Sequence, residues 1–262
     1  MRRLPQTLVA LALCAALCLC TACSDAPGYP KPGSDVSRPD MELDAHVLYK
    51  QNCAGCHGDN GRGGAALPLN NPAYLAVAGA DNLRTTITRG LPGTLMPAFA
   101  ASSGGMLTEK QVDALVQGIV GQWARPADFA GVTLPPYSAN TQGNAAAGQA
   151  AYTAACARCH GVDGAGAKLS ANTNAQQGST SHSIVDPSYL ALVNDQNLRS
   201  IVIAGHLDWT APDWRSYIPG HALAPQEITD IVAWIASHRA SAPPPSMGMQ
   251  HNSPPGVAKE KP

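Results

Sequence analysis

The sequence predicts an all-α chain of two small domains in tandem, and three observations carry that prediction. The pentapeptide Cys53-Ala54-Gly55-Cys56-His57 recurs as Cys156-Ala157-Arg158-Cys159-His160. Two further stretches repeat downstream: Asn71-Pro72-Ala73-Tyr74-Leu75-Ala76 matches Asp186-Pro187-Ser188-Tyr189-Leu190-Ala191, and Asn82-Leu83-Arg84-Thr85 with Gly90 matches Asn197-Leu198-Arg199-Ser200 with Gly205. Each copy then closes on an apolar stripe with helical period.

C-x-x-C-H is the mark of covalent haem attachment, because two thiols one helical turn apart add to the two vinyl groups of one porphyrin and the adjacent histidine supplies the proximal ligand. Each domain is therefore expected to wrap around one covalently bound haem, held by Cys53, Cys56 and His57 in the first and by Cys156, Cys159 and His160 in the second. A zinc site would bring four ligands to one point, whereas each pair here has its own histidine and its own repeated surroundings. A dithiol redox pair would need a βαβ context that the sequence lacks. Composition agrees: aromatic residues are only 5 % of the 262 residues, so the core is thin and two buried porphyrins would supply the missing apolar bulk.

Taken in chain order, residues 1–22 read as a secretory signal, with Arg2 and Arg3 ahead of an apolar Leu8 to Cys20 run too short to span a bilayer. The mature chain is thereby assigned to the periplasm. It would carry fifteen Lys and Arg against eighteen acids, a balance that argues against a nucleic-acid partner. Leu19-Cys20-Thr21-Ala22-Cys23 resembles a bacterial lipoprotein cleavage box with Cys20 at a position usually aliphatic. Cys23 is thus a candidate lipidation site that would anchor the chain to a membrane surface; the alternative is ordinary signal cleavage. Residues 23–39 are expected to be a flexible linker.

The first domain is assigned to 40–125. A short helix, about Asp44 to Asn52, precedes its haem motif, and its closing helix starts at Thr108 with Gln111 three residues on, a capping box. Val112, Leu115, Val116, Ile119, Val120 and Trp123 form the stripe. Residues 126–143, with Pro126, Pro135 and Pro136, read as a linker. The second domain, 144–240, opens with a helix over about Ala145 to Ala155 and closes with one in which Pro225 suits the first turn and Ile228, Ile231, Val232 and Ile235 face the core. The haem motifs are offset by 103 residues and the downstream matches by 115, so the second copy holds about twelve extra residues, placed near Lys168 to Ser183 in a polar surface loop. The proline-rich tail, 241–262, lacks the apolar residues to order itself.

The sixth ligand decides what each haem does. In Arg89-Gly90-Leu91-Pro92-Gly93-Thr94-Leu95-Met96-Pro97-Ala98-Phe99 a methionine precedes a proline downstream of the first motif. A thioether is a soft neutral donor that raises the reduction potential and closes the iron to substrates, so Met96 is the candidate axial ligand of haem 1. On both C-x-x-C-H-G motifs, Met96-Pro97 and the two closing helices, the stretch from Asp40 to Arg239 resembles the class I cytochrome c family, specifically tandem dihaem c-type cytochromes. The resemblance implies two haem c groups, a distal methionine in each domain, and an electron carrier of a respiratory chain with redox protein partners such as a quinol-oxidising complex and a terminal oxidase or reductase.

The second copy departs from that pattern. A shift of 115 carries Met96-Pro97-Ala98-Phe99 onto Ala211-Pro212-Asp213-Trp214, and alanine cannot ligate iron. His206, His221 or His182 would give bis-histidine ligation and a lower potential; otherwise the iron is open to a small molecule. An open iron would fit a haem enzyme or gas sensor, peroxidase-like, instead of a carrier. Met247 and Met249 belong to the tail. Arg84 and Arg199 are candidates to pair with haem propionates or else are surface charges, while Tyr74, Tyr189, Trp123 and Trp234 are expected to pack the core or the haem edge.

Overall fold

Polar side chains cap six of the nine α-helices among the described residues. The computed structural model describes residues 38–166, 183–206 and 211–240; the signal segment, Cys23, His182, most of the inserted loop and the tail lie outside them. The chain divides into two units. Residues up to Glu42 form the first, whose described part holds one 3-10 turn at Pro39–Met41. The second, from Leu43 onward, contains both repeated copies.

In the first copy α1 (Ala45–Asn52) is capped by Asp44, whose carboxylate accepts from the amides of His46 and Val47. It runs into α2 (Ala54–His57), which carries the C-x-x-C-H motif. Asn71 caps α3 (Pro72–Arg89), with Pro72 in the first turn, and Gly79 at φ 63° kinks it. The expected capping box of Thr108 and Gln111 opens α4 (Glu109–Trp123). Leu48 and Tyr49 of α1, Leu75 and Leu83 of α3, and Val112, Leu115, Val116 and Ile119 of α4 make one buried core.

The second copy repeats this plan with α5 (Ala145–Ala155), α6 (Ala157–His160), α7 (Pro187–Leu192), α8 (Asp195–Ala204) and α9 (Pro225–Ala236). Here α7 and α8 correspond to the two arms of the kinked α3. Tyr152, Leu190, Leu198, Ile203, Ile228, Ile231, Val232 and Ile235 are buried together. The opening and closing helices of each copy cross closely, and the small residues that permit it trade places. In the first copy a Cβ on Gly118 of α4 would lie 2.3 Å from that of Ala45; in the second, a Cβ on Gly148 of α5 would lie 1.9 Å from the Asp230 carbonyl and 3.0 Å from Cβ of Trp234.

Residues 126–143, read from sequence as a linker, are packed against both copies, Tyr137 on the first core and Phe129 in the second. Phe129, in a 3-10 turn over Pro126–Phe129, is buried in that core and stacks on Trp214 at 6.2 Å between centroids, with the Arg215 guanidinium 4.6 Å above its ring. Proline stops the periodic pattern without preventing burial. The two copies also share apolar surface: α3 packs against α8, Ala73 belongs to the second core and Ala204 to the first. No described helix is long and apolar enough to cross a membrane.

Candidate functional site

Both C-x-x-C-H motifs adopt the same conformation. The first cysteine ends the opening helix, its amide donating to the Tyr49 carbonyl at 2.8 Å for Cys53 and to the Tyr152 carbonyl at 2.7 Å for Cys156, and the next four residues make one helical turn. Each turn stops at a glycine of positive φ, Gly58 at 78° and Gly161 at 77°. A Cβ on Gly58 would meet the Arg62 carbonyl at 1.8 Å, so only glycine fits that stop. The hydroxyl of Tyr49 donates to the Gly58 carbonyl at 2.8 Å and that of Tyr152 to the Gly161 carbonyl at 2.6 Å. These tyrosines, four residues before each motif and at the motif offset of 103, brace the haem turn against the opening helix. Sequence reasoning passed over them, although that shared offset was the available signal.

None of the four motif cysteines is in a disulfide, and burial, more than their cysteine neighbours, would push the thiols of Cys53 and Cys156 up to about 12. A thiol so placed is a poor thiolate ligand, whereas a thioether is neutral and loses nothing by burial. Among the described residues no three His, Cys, Asp or Glu side chains gather as a metal cluster. His57 is buried, and burial holds its pKa below the ordinary value, so the ring stays neutral. Its Nδ1 lies 2.8 Å from the Leu67 carbonyl, which places the proton on Nδ1 and leaves the Nε2 lone pair for iron. The residues present fit haem c. His160 ends the matching turn and is half-buried.

Met96 is half-buried in a loop whose geometry is set by its own backbone. The Leu91 amide donates to the Met96 carbonyl at 3.0 Å, the Met96 amide to Thr94 Oγ1 at 3.1 Å and the Phe99 amide to the Ile87 carbonyl at 3.0 Å. Gly90, at φ 68°, lets the returning strand lie against it: a Cβ there would be 2.6 Å from the Met96 carbonyl oxygen.

In the second copy the described residues on either side of 207–210 repeat the backbone bonds of that loop's two ends around a different residue. Gly205 has φ 67°, and its Cβ would lie 2.5 Å from the Ala211 carbonyl oxygen and 2.1 Å from that of Pro212. The His206 amide donates to the Ala211 carbonyl at 3.1 Å, as Leu91 does to Met96, and the Ala211 amide returns the bond at 3.1 Å. Ala211 thus occupies the backbone place of Met96. His206 is its antiparallel partner, and partners in such a pair project their side chains to the same side. His221 is half-exposed and pairs with Glu227 at 2.9 Å at the start of α9.

The repeated arginines are committed elsewhere than to propionates. Arg84 is paired with Asp113 at 2.7 Å and Glu109 at 2.8 Å. Arg199, only 2 % exposed, donates to the Pro136 and Tyr137 carbonyls and to Thr229 Oγ1, clasping the packed connector to α9. Tyr74 is buried; Trp234 stacks on Tyr152 at 4.0 Å, and Trp123 meets Tyr49 edge-on at 5.2 Å.

Comparison with known proteins matches residues 42–117 to the family described as cytochrome c oxidase, cbb3-type, subunit III, and residues 145–239 to the family described as cytochrome c. A cbb3-type cytochrome c oxidase subunit CcoP of Azospirillum sp. (strain B510) is 26 % identical over 60 % of this chain and 59 % of its own length. The CcoP subunit of Rubrivivax gelatinosus is 29 % identical over 56 % of this chain and 43 % of its own. Cytochrome c55X of Stutzerimonas stutzeri is 36 % identical over 31 % and 66 %. The chain therefore spans about half the length of the CcoP relatives it matches. Among solved structures, dihydro-heme d1 dehydrogenase NirN in complex with DHE aligns at 31 % identity over 37 % of this chain and 18 % of that one, with a TM-score of 0.26.

Proposed function

This chain belongs to the c-type cytochromes as a tandem dihaem member, and on that premise we propose that it relays electrons in a periplasmic respiratory chain, between a quinol-oxidising complex and a terminal oxidase or reductase. The observation that carries the reading is the pair of matched motifs: two haem turns of the same backbone conformation, and in each copy a downstream segment folded back on a glycine, with Met96 in one and Ala211 in the other. Haem c, when bound, supplies the one-electron couple. Cys53, Cys56, Cys156 and Cys159 would tether it, His57 and His160 would offer their imidazoles to the iron, and Met96 would offer its thioether to haem 1.

The protein's own groups set the potentials. The Leu67 carbonyl fixes the His57 tautomer, and the Met96 thioether favours the reduced iron. At haem 2, His206 would be the residue to offer an imidazole, because it pairs with Ala211 at the missing methionine's position, and an imidazole there would give a haem a lower potential than the Met96 thioether would. Lipidation at Cys23 would hold the carrier at a membrane surface, beside membrane-bound redox partners.

A second reading is favoured by Ala211 itself: an open haem 2 would make the chain a haem enzyme or gas sensor. Optical and EPR spectra of the oxidised holoprotein, and carbon monoxide added after reduction, separate the two. Two low-spin haems, one with the near-infrared methionine band and neither binding carbon monoxide, are expected. A high-spin haem 2 that takes up carbon monoxide would overturn the carrier reading.

A further inference from the structure

Each distal loop is held by an asparagine belonging to the other copy. Asn71, 1 % exposed, caps α3 of the first copy through Oδ1, which accepts from the Ala73 and Tyr74 amides at 2.9 and 3.2 Å. Its Nδ2 donates at 2.9 Å to the carbonyl of Ala204, the last residue of α8. That carbonyl is one of the group a helix C-terminus leaves without an intrahelical partner, and it directly precedes Gly205 and His206. In return, Asn194 caps α8 of the second copy by accepting from the Asn197 amide at 2.9 Å, and its Nδ2 donates at 3.0 Å to the carbonyl of Pro92, inside the Met96 loop.

Capping alone does not require asparagine at either place. At the position equivalent to Asn71 stands Asp186, which caps α7 through the Ser188 and Tyr189 amides. A carboxylate caps as well as an amide but cannot donate. The position equivalent to Asn194 is Gly79, which has no side chain. What distinguishes Asn71 and Asn194 from their counterparts is the amide donor, and both donors cross to the partner copy's distal loop. The loops are also tightly keyed to these anchor points. Ala211 and Pro212 rest on Gly205, the residue after Ala204, and Met96 and Pro97 rest on Gly90, two residues before Pro92, with no room for a Cβ at either glycine.

We infer that Asn71 is a positioning residue for the distal side of haem 2 and Asn194 for that of haem 1, so that each haem's ligand geometry, and hence its potential, is set partly by the other copy. The inference rests on the dihaem reading above.

The experiment uses the full holoprotein with Asn71→Asp and Asn194→Asp, each of which keeps the cap and replaces the amide donor by a charged carboxylate oxygen facing the same carbonyl; the uncharged Asn71→Ser separates loss of the bond from the effect of that charge. A pyridine haemochrome assay first establishes two haems per chain; fewer would sink the dihaem reading itself and is scored separately. With two haems present, Asn71→Asp is expected to move the EPR g-values and the potential of haem 2 while the methionine band of haem 1 stays in place. Asn194→Asp is expected to do the reverse. The distribution of a single electron between the haems should change about tenfold in each variant, or about 59 mV for a one-electron couple. Asn71→Ser, a cap with a shorter reach, should shift haem 2 in the same direction. Loss of thermal stability with both spectra and both potentials unchanged would overturn the inference, as would a variant that perturbs the haem of its own copy alone.

Discussion

Replacing Gly90 by alanine puts a methyl group where the Met96 loop lies. The new Cβ would stand 2.6 Å from the Met96 carbonyl oxygen and the Pro97 carbonyl carbon and 2.7 Å from the Ala98 amide nitrogen, all backbone atoms that cannot rotate away. The loop must retreat by several tenths of an ångström. An L-residue at φ 68° and ψ −169°, a region almost reserved to glycine, also costs about 1–3 kcal/mol, and overpacking adds about 1–3 kcal/mol, so Gly90→Ala should destabilise the holoprotein by about 2–6 kcal/mol. The retreat carries Met96 with it, and the near-infrared methionine band of the oxidised protein should weaken or vanish while the high potential falls. Gly205→Ala is the matched control. Its Cβ would stand 2.1 Å from the Pro212 carbonyl oxygen, so it should be at least as destabilising, yet the band should persist, because the loop it displaces holds Ala211 and no methionine. Near-infrared absorption or magnetic circular dichroism with thermal unfolding reads both effects. A full-strength band in Gly90→Ala, or its loss in Gly205→Ala, would refute the assignment of this loop as the distal side of haem 1.

Direct removal of the sulfur, Met96→Ala, should abolish the same band and lower the higher potential in a redox titration. Tyr49→Phe and Tyr152→Phe each delete one hydrogen bond to the glycine behind a haem turn and should each cost about 1 kcal/mol, read from denaturant midpoints. Arg199→Met leaves the Pro136 and Tyr137 carbonyls and Thr229 without their donor in a buried place and should lower stability by about 2–4 kcal/mol. Its counterpart Arg84→Met, whose ion pairs with Asp113 and Glu109 are solvent-exposed, should leave the melting temperature nearly unchanged.

The matched arginines show how far a repeat can be read. Equal positions in two copies announce equal backbone, and the backbone is equal: Arg84 and Arg199 lie on corresponding helices. Their surroundings differ because the 126–143 connector folds over the second copy. No local pattern announces that, since prolines break the period that signals burial. The tryptophans behave likewise. Tyr49 and Tyr152 are equivalent, yet their partners come from non-equivalent places on the closing helices, Trp123 and Trp234, because the first crossing is relieved by Gly118 and the second by Gly148.

The sequence by itself determined the all-α fold, the duplication, the helix caps and the cofactor, because thioether attachment, capping and helical stripes are short-range chemistry with fixed spacing. It also determined that the second copy lacks a methionine at the ligand position. Only the tertiary structure decided that Ala211 keeps the methionine's backbone place with His206 as its cross-strand partner, and that Asn71 and Asn194 reach across to the opposite loops. Those pairings join residues far apart in the chain, Asn71 with Ala204 and Asn194 with Pro92, and a contact made by folding leaves no spacing in the sequence to announce it.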